Sequence, residues 1–335
     1  MEQMTPEYNL DKIYSFLKNY GIDKKFIREF ILPDWWDDEV VKSKSGYLQT
    51  ISLIAKNLGV NISDLLSSSQ ELTFKLPLIV KYKTAKNVEL NRQNIWPMSL
   101  AIRLSEIVEE TYSVRPQIMF TSATSLRKAI FEKYSIITLA NVLDYLWLSG
   151  IPVLHVAEYP HGMRKMDGMV MSYNERPIII LSKKRTHDAW LLFTLSHELG
   201  HIGNGHLSSK ENIIFDTDIE NTDQDREEME ANNYGLELLL GRNYSVITDA
   251  NLTSAFKLTN LARIKSKELK IDPGIVILNF AYTTKKWALA EQALKIVNPH
   301  AGAVELIRQK MKDYLDLNKL SEESYDYFSK LTLTE

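Results

Sequence analysis

Residues 193–201 read Phe193-Thr194-Leu195-Ser196-His197-Glu198-Leu199-Gly200-His201, and the spacing of the two histidines decides what the rest of the chain must build. The apolar residues of the segment suit a helix. At about 100° per residue, His197 and His201 differ by about 40° in azimuth and about 6 Å in rise, so both imidazoles can reach one metal ion. Glu198 flanks the same face one residue along. There it is placed to take a proton from water rather than to bind the metal. The chain contains no cysteine, which removes thiolate zinc sites, iron–sulfur clusters, disulfides and thiol nucleophiles together. Any transition metal must be held by His, Asp or Glu.

A catalytic zinc site takes three protein ligands and keeps a fourth position open. Downstream, Arg226-Glu227-Glu228-Met229-Glu230-Ala231-Asn232-Asn233-Tyr234 follows a capping-box-like start at Thr222-Asp223-Gln224-Asp225. Glu228 and Asn232 stand four apart on one helix face. Glu228 is therefore expected to complete the ligand set for Zn²⁺, with Asn232 orienting a ligand histidine from behind. Glu230 points about 200° away and is expected to meet solvent or a neighbouring helix. His206 follows two helix-breaking glycines, Gly203 and Gly205, and reads as a supporting histidine rather than a ligand. Tyr234 is a candidate donor to a developing oxyanion. His155, His161, His187 and His300 show no ligand-like spacing. Phosphate-cradling Gly-x-x-x-x-Gly-Lys and nucleophile-elbow Gly-x-Ser-x-Gly patterns are absent, which argues against nucleotide and serine hydrolysis by those routes.

Upstream of the histidines, Ile151–Val156, Gly168–Tyr173 and Pro177–Leu181 are short strand candidates, the last two joined by a turn at Asn174-Glu175. The β-prone run holding Ile178, Ile179 and Ile180 is expected to bind substrate as an edge strand pairing with an extended peptide. The same composition also suits an interior strand. Helices are predicted over Leu10–Tyr20, Leu48–Leu58, Met98–Thr111, Ser125–Tyr134 and Leu139–Leu148, and Leu72–Tyr82 reads as a strand interrupted by Pro77. Helices with a few strands between them give an α+β class: a mainly helical domain with a small sheet, flanked by helical N-terminal and C-terminal regions. The stretch Ser67-Ser68-Ser69-Gln70-Glu71 marks a linker, dividing the chain at 1–70, 71–250 and 251–335.

In the first of these parts, Ile54–Leu66 looks like the closing two helices of a phage-repressor helix-turn-helix. Where such a domain presents its DNA-reading helix, this chain has Leu32-Pro33-Asp34-Trp35-Trp36-Asp37-Asp38-Glu39, whose carboxylates repel phosphate. A packing or dimerisation role is expected there in preference to DNA reading. The whole-chain charge agrees: 40 Lys and Arg against 43 Asp and Glu leave a net charge of −3, without a bulk field for nucleic acid or anionic membrane. Apolar residues at 44% and charged residues at 25% are ordinary for folded domains. Met1–Leu10 carries Glu2, Glu7 and Asn9 where a signal peptide has a basic start and an apolar run, so a cytoplasmic location without membrane contact is expected.

Taken together, Leu191–His206, the Ile151–Leu181 segment with Asp167-Gly168, and Glu228-x-x-Ala231-Asn232 ahead of Leu238–Leu240 resemble the ImmA/IrrE family of zincin metallopeptidases. The resemblance spans about Ser125 to Leu240. Further on, Glu268–Val276 is similar to a segment of members that join a repressor-like helix-turn-helix to the peptidase. The resemblance implies a zinc-dependent endopeptidase domain over 71–250, with Zn²⁺ on His197, His201 and Glu228 and with Glu198 as base. The implied partner is a protein substrate, such as a repressor-like transcription factor encoded nearby, in a mobile-element, stress, toxin–antitoxin or defence system. A homodimer is compatible with it. The alternatives are a non-cleaving regulatory or sensor module and a helix-turn-helix transcription regulator.

Overall fold

The computed structural model describes residues 9–67, 71–76, 79–83, 95–117, 122–163, 165–183, 187–207, 212–216, 226–241, 245–299 and 302–334. Within them the chain is α+β, mainly helical with one small sheet. Helices α1 (Asp11–Lys18), α2 (Lys24–Phe26, continued by a π turn at Ile27–Ile31), α3 (Lys44–Leu58) and α4 (Ile62–Ser67) come first. The α3–α4 corner turns on Gly59, which adopts φ +64°. Ser99 Oγ donates to the Leu58 and Gly59 carbonyls at 2.9 and 3.2 Å, and a Cβ on Gly59 would fall 2.1 Å from that oxygen. Glycine answers both demands at once.

The acidic stretch Leu32–Glu39 forms turns, and no helix stands where a repressor-type domain presents its reading helix. It packs instead. The Trp36 indole is buried and donates to Thr50 Oγ1 at 2.9 Å. The Asp34 backbone N–H donates to the Asp326 carboxylate at 2.9 Å, and the Asp34 carboxylate pairs with Lys330 at 2.6 Å.

Next in the chain are β1 (Ile79–Lys83), α5 (Ile95–Thr111), α6 (Ala123–Lys133), α7 (Leu139–Leu148), β2 (Val153–His155), β3 (Gly168–Tyr173) and β4 (Arg176–Leu181). They are followed by α8 (Asp188–Gly203), β5 (Asn212–Asp216) and α9 (Arg226–Leu240). The strand order is β1-β5-β3-β4-β2. Strand β3 runs antiparallel to both β4 and β5, while β1 pairs parallel with β5 and β2 pairs parallel with β4. The β3–β4 hairpin closes on Asn174 and Glu175, both at positive φ, as a two-residue hairpin turn requires. Of the sequence expectations, Pro77, Ser68–Gln70 and Thr222–Asp225 lie outside the described residues.

Strand β4 corrects the expectation for substrate binding. Its Ile178 and Ile179 pair with Met171 and Val170 of β3 on one side, while Ile179 and Ile180 pair with Val153 and Leu154 of β2 on the other. All three isoleucines are at most 1% exposed. A peptide cannot add to backbone groups that are already paired, so Ile178, Ile179 and Ile180 are core residues.

The C-terminal part is helical: α10 (Ala255–Leu269), α11 (Pro273–Thr284), α12 (Trp287–Val297), α13 (Ala303–Tyr314) and α14 (Glu322–Thr332). Helices α10, α11 and α12 pack on one another, and α11 also packs on α8. Buried apolar side chains from Leu10 to Leu331 form one contiguous core. Among the described residues no helix is long and apolar enough to cross a membrane.

Candidate metal centre

Helix α8 carries the two histidines and α9 carries the third donor, and small residues let the two helices approach closely. A Cβ on Gly200 would lie 2.7 Å from the Ala231 Cα, and one on Gly235 would lie 3.3 Å from the Ser196 carbonyl carbon. That proximity brings Glu228 within reach of both imidazoles. His197, His201 and Glu228 are all buried.

The donor atoms converge, with one Glu228 oxygen beside each imidazole nitrogen and one ligand atom from each residue within 4.8 Å of the others. His197 Nε2 and His201 Nε2 are 3.2 Å apart; Glu228 Oε2 is 3.2 Å from His197 Nε2, and Glu228 Oε1 is 3.4 Å from His201 Nε2. One face of a tetrahedron around zinc, with bonds of about 2.0–2.1 Å, has edges of about 3.3 Å. Neither Glu228 carboxylate oxygen has a hydrogen-bond partner among the described residues, although the side chain is fully buried. A buried carboxylate facing two imidazole nitrogens at these distances suits a cation held between them. The residues therefore fit zinc.

Hydrogen bonds behind the cluster fix which ring nitrogen faces it. His197 Nδ1 donates to Asn232 Oδ1 at 2.9 Å, which leaves the Nε2 lone pair toward the centre. On the other histidine the chain of bonds is longer. His206 Nε2 donates to Glu230 Oε2 at 3.1 Å, so its Nδ1 accepts from His201 Nδ1 at 2.8 Å and His201 Nε2 is left as the donor atom. Burial holds the His206 imidazole below its ordinary pKa, outweighing the hydrogen bond it donates to Glu230, which raises it. The neutral ring required by this sequence of bonds follows. Arg226 in turn donates to Glu230 Oε1 at 2.7 Å.

Glu198 projects toward the sheet rather than into the cluster. A Cβ on Gly168, at the start of β3, would fall 2.0 Å from Glu198 Oε1, so the carboxylate rests where only a glycine leaves room. Asp167 beside it is buried and paired with Lys183.

Among the residues expected from sequence, His197, Glu198, His201, Glu228, Asn232 and His206 are gathered in one place. Tyr234 is not. Its ring packs on Gly203, its hydroxyl has no partner among the described residues, and its nearest electrostatic neighbours are Glu237 and Tyr145. Burial raises its pKa. On α9 it stands about 240° around from Glu228, which turns it away from the metal face. Sequence reasoning missed two contributors. Glu230 props His206, for which the only local signal was its i,i+4 pairing with Arg226. Gly168 makes room for Glu198, a role that a lone glycine at a strand start does not announce.

The chain matches no family model, and no curated protein matches it.

Proposed function

We propose that the chain is a zinc-dependent endopeptidase of the ImmA/IrrE kind. Its substrate would be a repressor-like or other regulatory protein. The reading rests on one observation: two buried imidazole nitrogens 3.2 Å apart face a buried carboxylate whose two oxygens lie 3.2 and 3.4 Å from them, close to the ligand–ligand spacing of tetrahedral zinc. His197 Nε2, His201 Nε2 and the Glu228 carboxylate would hold the ion. When bound, zinc supplies Lewis acidity, polarising a carbonyl and making water more acidic.

The remaining steps belong to the chain's own side chains. Glu198 accepts a proton from the attacking water on its carboxylate and passes it to the departing amide nitrogen. Its burial against Gly168 keeps bulk water from solvating the carboxylate and fixes its direction. Asn232 and the His206–Glu230 pair hold the two imidazoles in the tautomer that presents Nε2. A cytoplasmic location belongs to the same reading.

The test combines metal analysis with digestion. Purified wild-type chain should hold about one zinc and should cleave either an unstructured peptide library or the repressor encoded beside its own gene, with fragments identified by mass spectrometry. Glu198→Gln should keep the metal and stop cleavage, whereas His201→Ala and Glu228→Gln should lose the metal. Full zinc content in both His197→Ala and His201→Ala would place the ligands elsewhere. Loss of zinc from Glu198→Gln with retention in Glu228→Gln would exchange the roles of the two carboxylates.

A further inference from the structure

Helix α10 turns one face to the core and the other to solvent. Leu258, Thr259, Ala262 and Ser266 are buried, and the helix packs on α11 and α12. On the opposite face Phe256 and Ile264 are 64% and 55% exposed, with Leu261 exposed beside them. Eight residues separate Phe256 from Ile264, about 80° in azimuth and about 12 Å in rise, so the two lie on one stripe. Three large apolar side chains on a single exposed helix face make a patch rather than scattered residues. Lys257, Arg263 and Lys267 flank the stripe and are exposed, while Lys265 pairs with Glu268 at 2.8 Å. The surrounding charge is of one sign: residues 251–298 hold eight Lys and Arg against three Asp and Glu, in a chain whose net charge is −3.

A counterpart of opposite charge stands elsewhere on the same chain. Residues 29–39 and 322–326 together hold eight Asp and Glu and neither Lys nor Arg. Four of the eight pair with Lys25, Arg28, Lys42 or Lys330, so the excess is negative. The bond from the Asp34 N–H to the Asp326 carboxylate, at 2.9 Å, joins the Leu32–Glu39 turns to α14 and makes the two segments one surface. Trp35 and Tyr325 are exposed on it, as are Asp37, Glu39 and Glu322.

From these two faces we propose that α10 of one copy docks, head to tail, on the acidic and aromatic surface around Trp35 and Tyr325 of a second copy. Phe256 and Ile264 lose contact with water against the two aromatic rings, and the flanking cations meet Asp37, Glu39 and Glu322. Cations laid over the aromatic rings add to the attraction. Both faces are exposed in the single chain, so neither covers the other within one molecule. The contact joins unlike faces, so it closes as a reciprocal pair or a larger ring, or else continues as a chain of copies. Nucleic acid offers phosphate to the lysines but little that is apolar to the stripe, whereas a second copy matches both. The inference stands apart from the metal site.

Light scattering of the full chain across a concentration series, in about 0.01 M and about 0.5 M salt, tests this. At low salt the mass should rise with concentration to that of a dimer or more, and high salt should return it toward the monomer. Lys257→Glu with Lys267→Glu, and separately Glu39→Lys with Glu322→Lys, change exposed positions and should each leave a monomer with an unchanged circular dichroism spectrum. Mixed in equal amounts, the two variants should assemble again, because each supplies the face that the other lacks. Ile264→Asp added to the second variant should prevent that recovery, which separates docking from bare attraction between opposite net charges. A wild-type chain that stays monomeric at low salt would overturn the proposal, as would assembly that survives both charge reversals or a mixture that stays monomeric. A monomer that instead sediments with phosphatidylglycerol–phosphatidylcholine vesicles, and ceases to in Lys257→Glu with Lys267→Glu, would assign α10 to a lipid surface and overturn it too.

Discussion

A methyl group added at Gly168 would meet the flexible end of a side chain, Glu198 Oε1 at 2.0 Å and Cδ at 2.8 Å. The carboxylate can swing aside, so Gly168→Ala should fold, melt close to wild type and keep its zinc. Turnover should nevertheless fall by about 10²-fold, because the proton acceptor is displaced by an ångström or more. Kinetics alongside a melting curve check this; unchanged turnover would mean that Glu198 is not held by this contact. On the far side of the cluster, Glu230→Ala removes the acceptor that fixes the His206 ring. Zinc affinity should drop by about 10–100-fold, measured against a competing chelator dye. An unchanged affinity would show that packing alone orients His201. The two histidines, Glu228 and Asn232 were legible in the sequence because each pair lies within one helix, where 3.6-residue periodicity sets direction. The His206–Glu230 link was not, because His206 lies past the end of α8 and beyond Gly205 at φ +73°, where no period applies.

At the scale of elements, the α8–α9 contact depends on backbone meeting backbone. A Cβ on Gly200 would come within 2.7 Å of both the Ala231 Cα and its carbonyl oxygen, and neither can rotate away. Gly200→Ala should separate the helices, cost about 1–3 kcal/mol and abolish stoichiometric zinc, in contrast to the mild Gly168→Ala. Thermal melts with metal analysis distinguish them; a zinc-replete Gly200→Ala would contradict the close approach. Helix α11 offers a pH signature. Asp272 caps it, accepting from Gly274 N–H at 2.6 Å, yet burial raises its pKa above the ordinary 3.8, and nearby Asp188 adds to the rise. A carboxyl whose folded pKa is raised binds more protons when folded. Its contribution to stability therefore grows as pH falls through the folded value toward 3.8, and is lost as pH rises through it. Asp272→Asn keeps the cap and removes the charge. The difference in stability, Asn variant minus wild type, should grow from about pH 4 to pH 7 in denaturant titrations; a constant difference would remove the burial effect. Element existence was largely legible, as with Leu139–Leu148, where apolar residues suit a helix and Ser149-Gly150 marks its end. The place of β4 inside the sheet was not, because its second partner, β2, ends more than twenty residues earlier, and buried strands look alike from either position.

For the whole molecule, one contiguous core predicts one cooperative transition. The first helices, the metal helices and the C-terminal helices share buried side chains from Leu10 to Leu331, so calorimetry should show a single unfolding peak. Two resolved peaks would mean that a part folds on its own. If the proposed zinc binds only the native cluster, a chelator should lower the melting temperature without splitting the peak; at zinc 100-fold above Kd the ion would add about 2.7 kcal/mol. Lys330 is one fastening of this arrangement, donating to the Leu32 carbonyl at 2.9 Å and pairing with Asp34 at 2.6 Å. Because Asp34 is exposed, the ion pair is discounted, and Lys330→Ala should cost about 1–2 kcal/mol, read from denaturant midpoints. A neutral Lys330→Ala would show that apolar packing of α14 carries the contact alone.

That fastening also sets a clock. Leu32 and Lys330 are 298 positions apart in the chain, and at about 5–20 residues per second a ribosome needs about 15–60 s to deliver the second after the first. During that interval His197, Glu198, His201 and Glu228 have all been synthesised, while the surface that α14 will cover is still open to chaperones. A nascent chain stalled before residue 320 should accordingly be cut by added protease near Leu32–Glu39, and the released full-length protein should resist. Equal resistance in both would mean that the N-terminal helices settle before α14 arrives. The order of synthesis thus withholds the completed fold until α14 has been made.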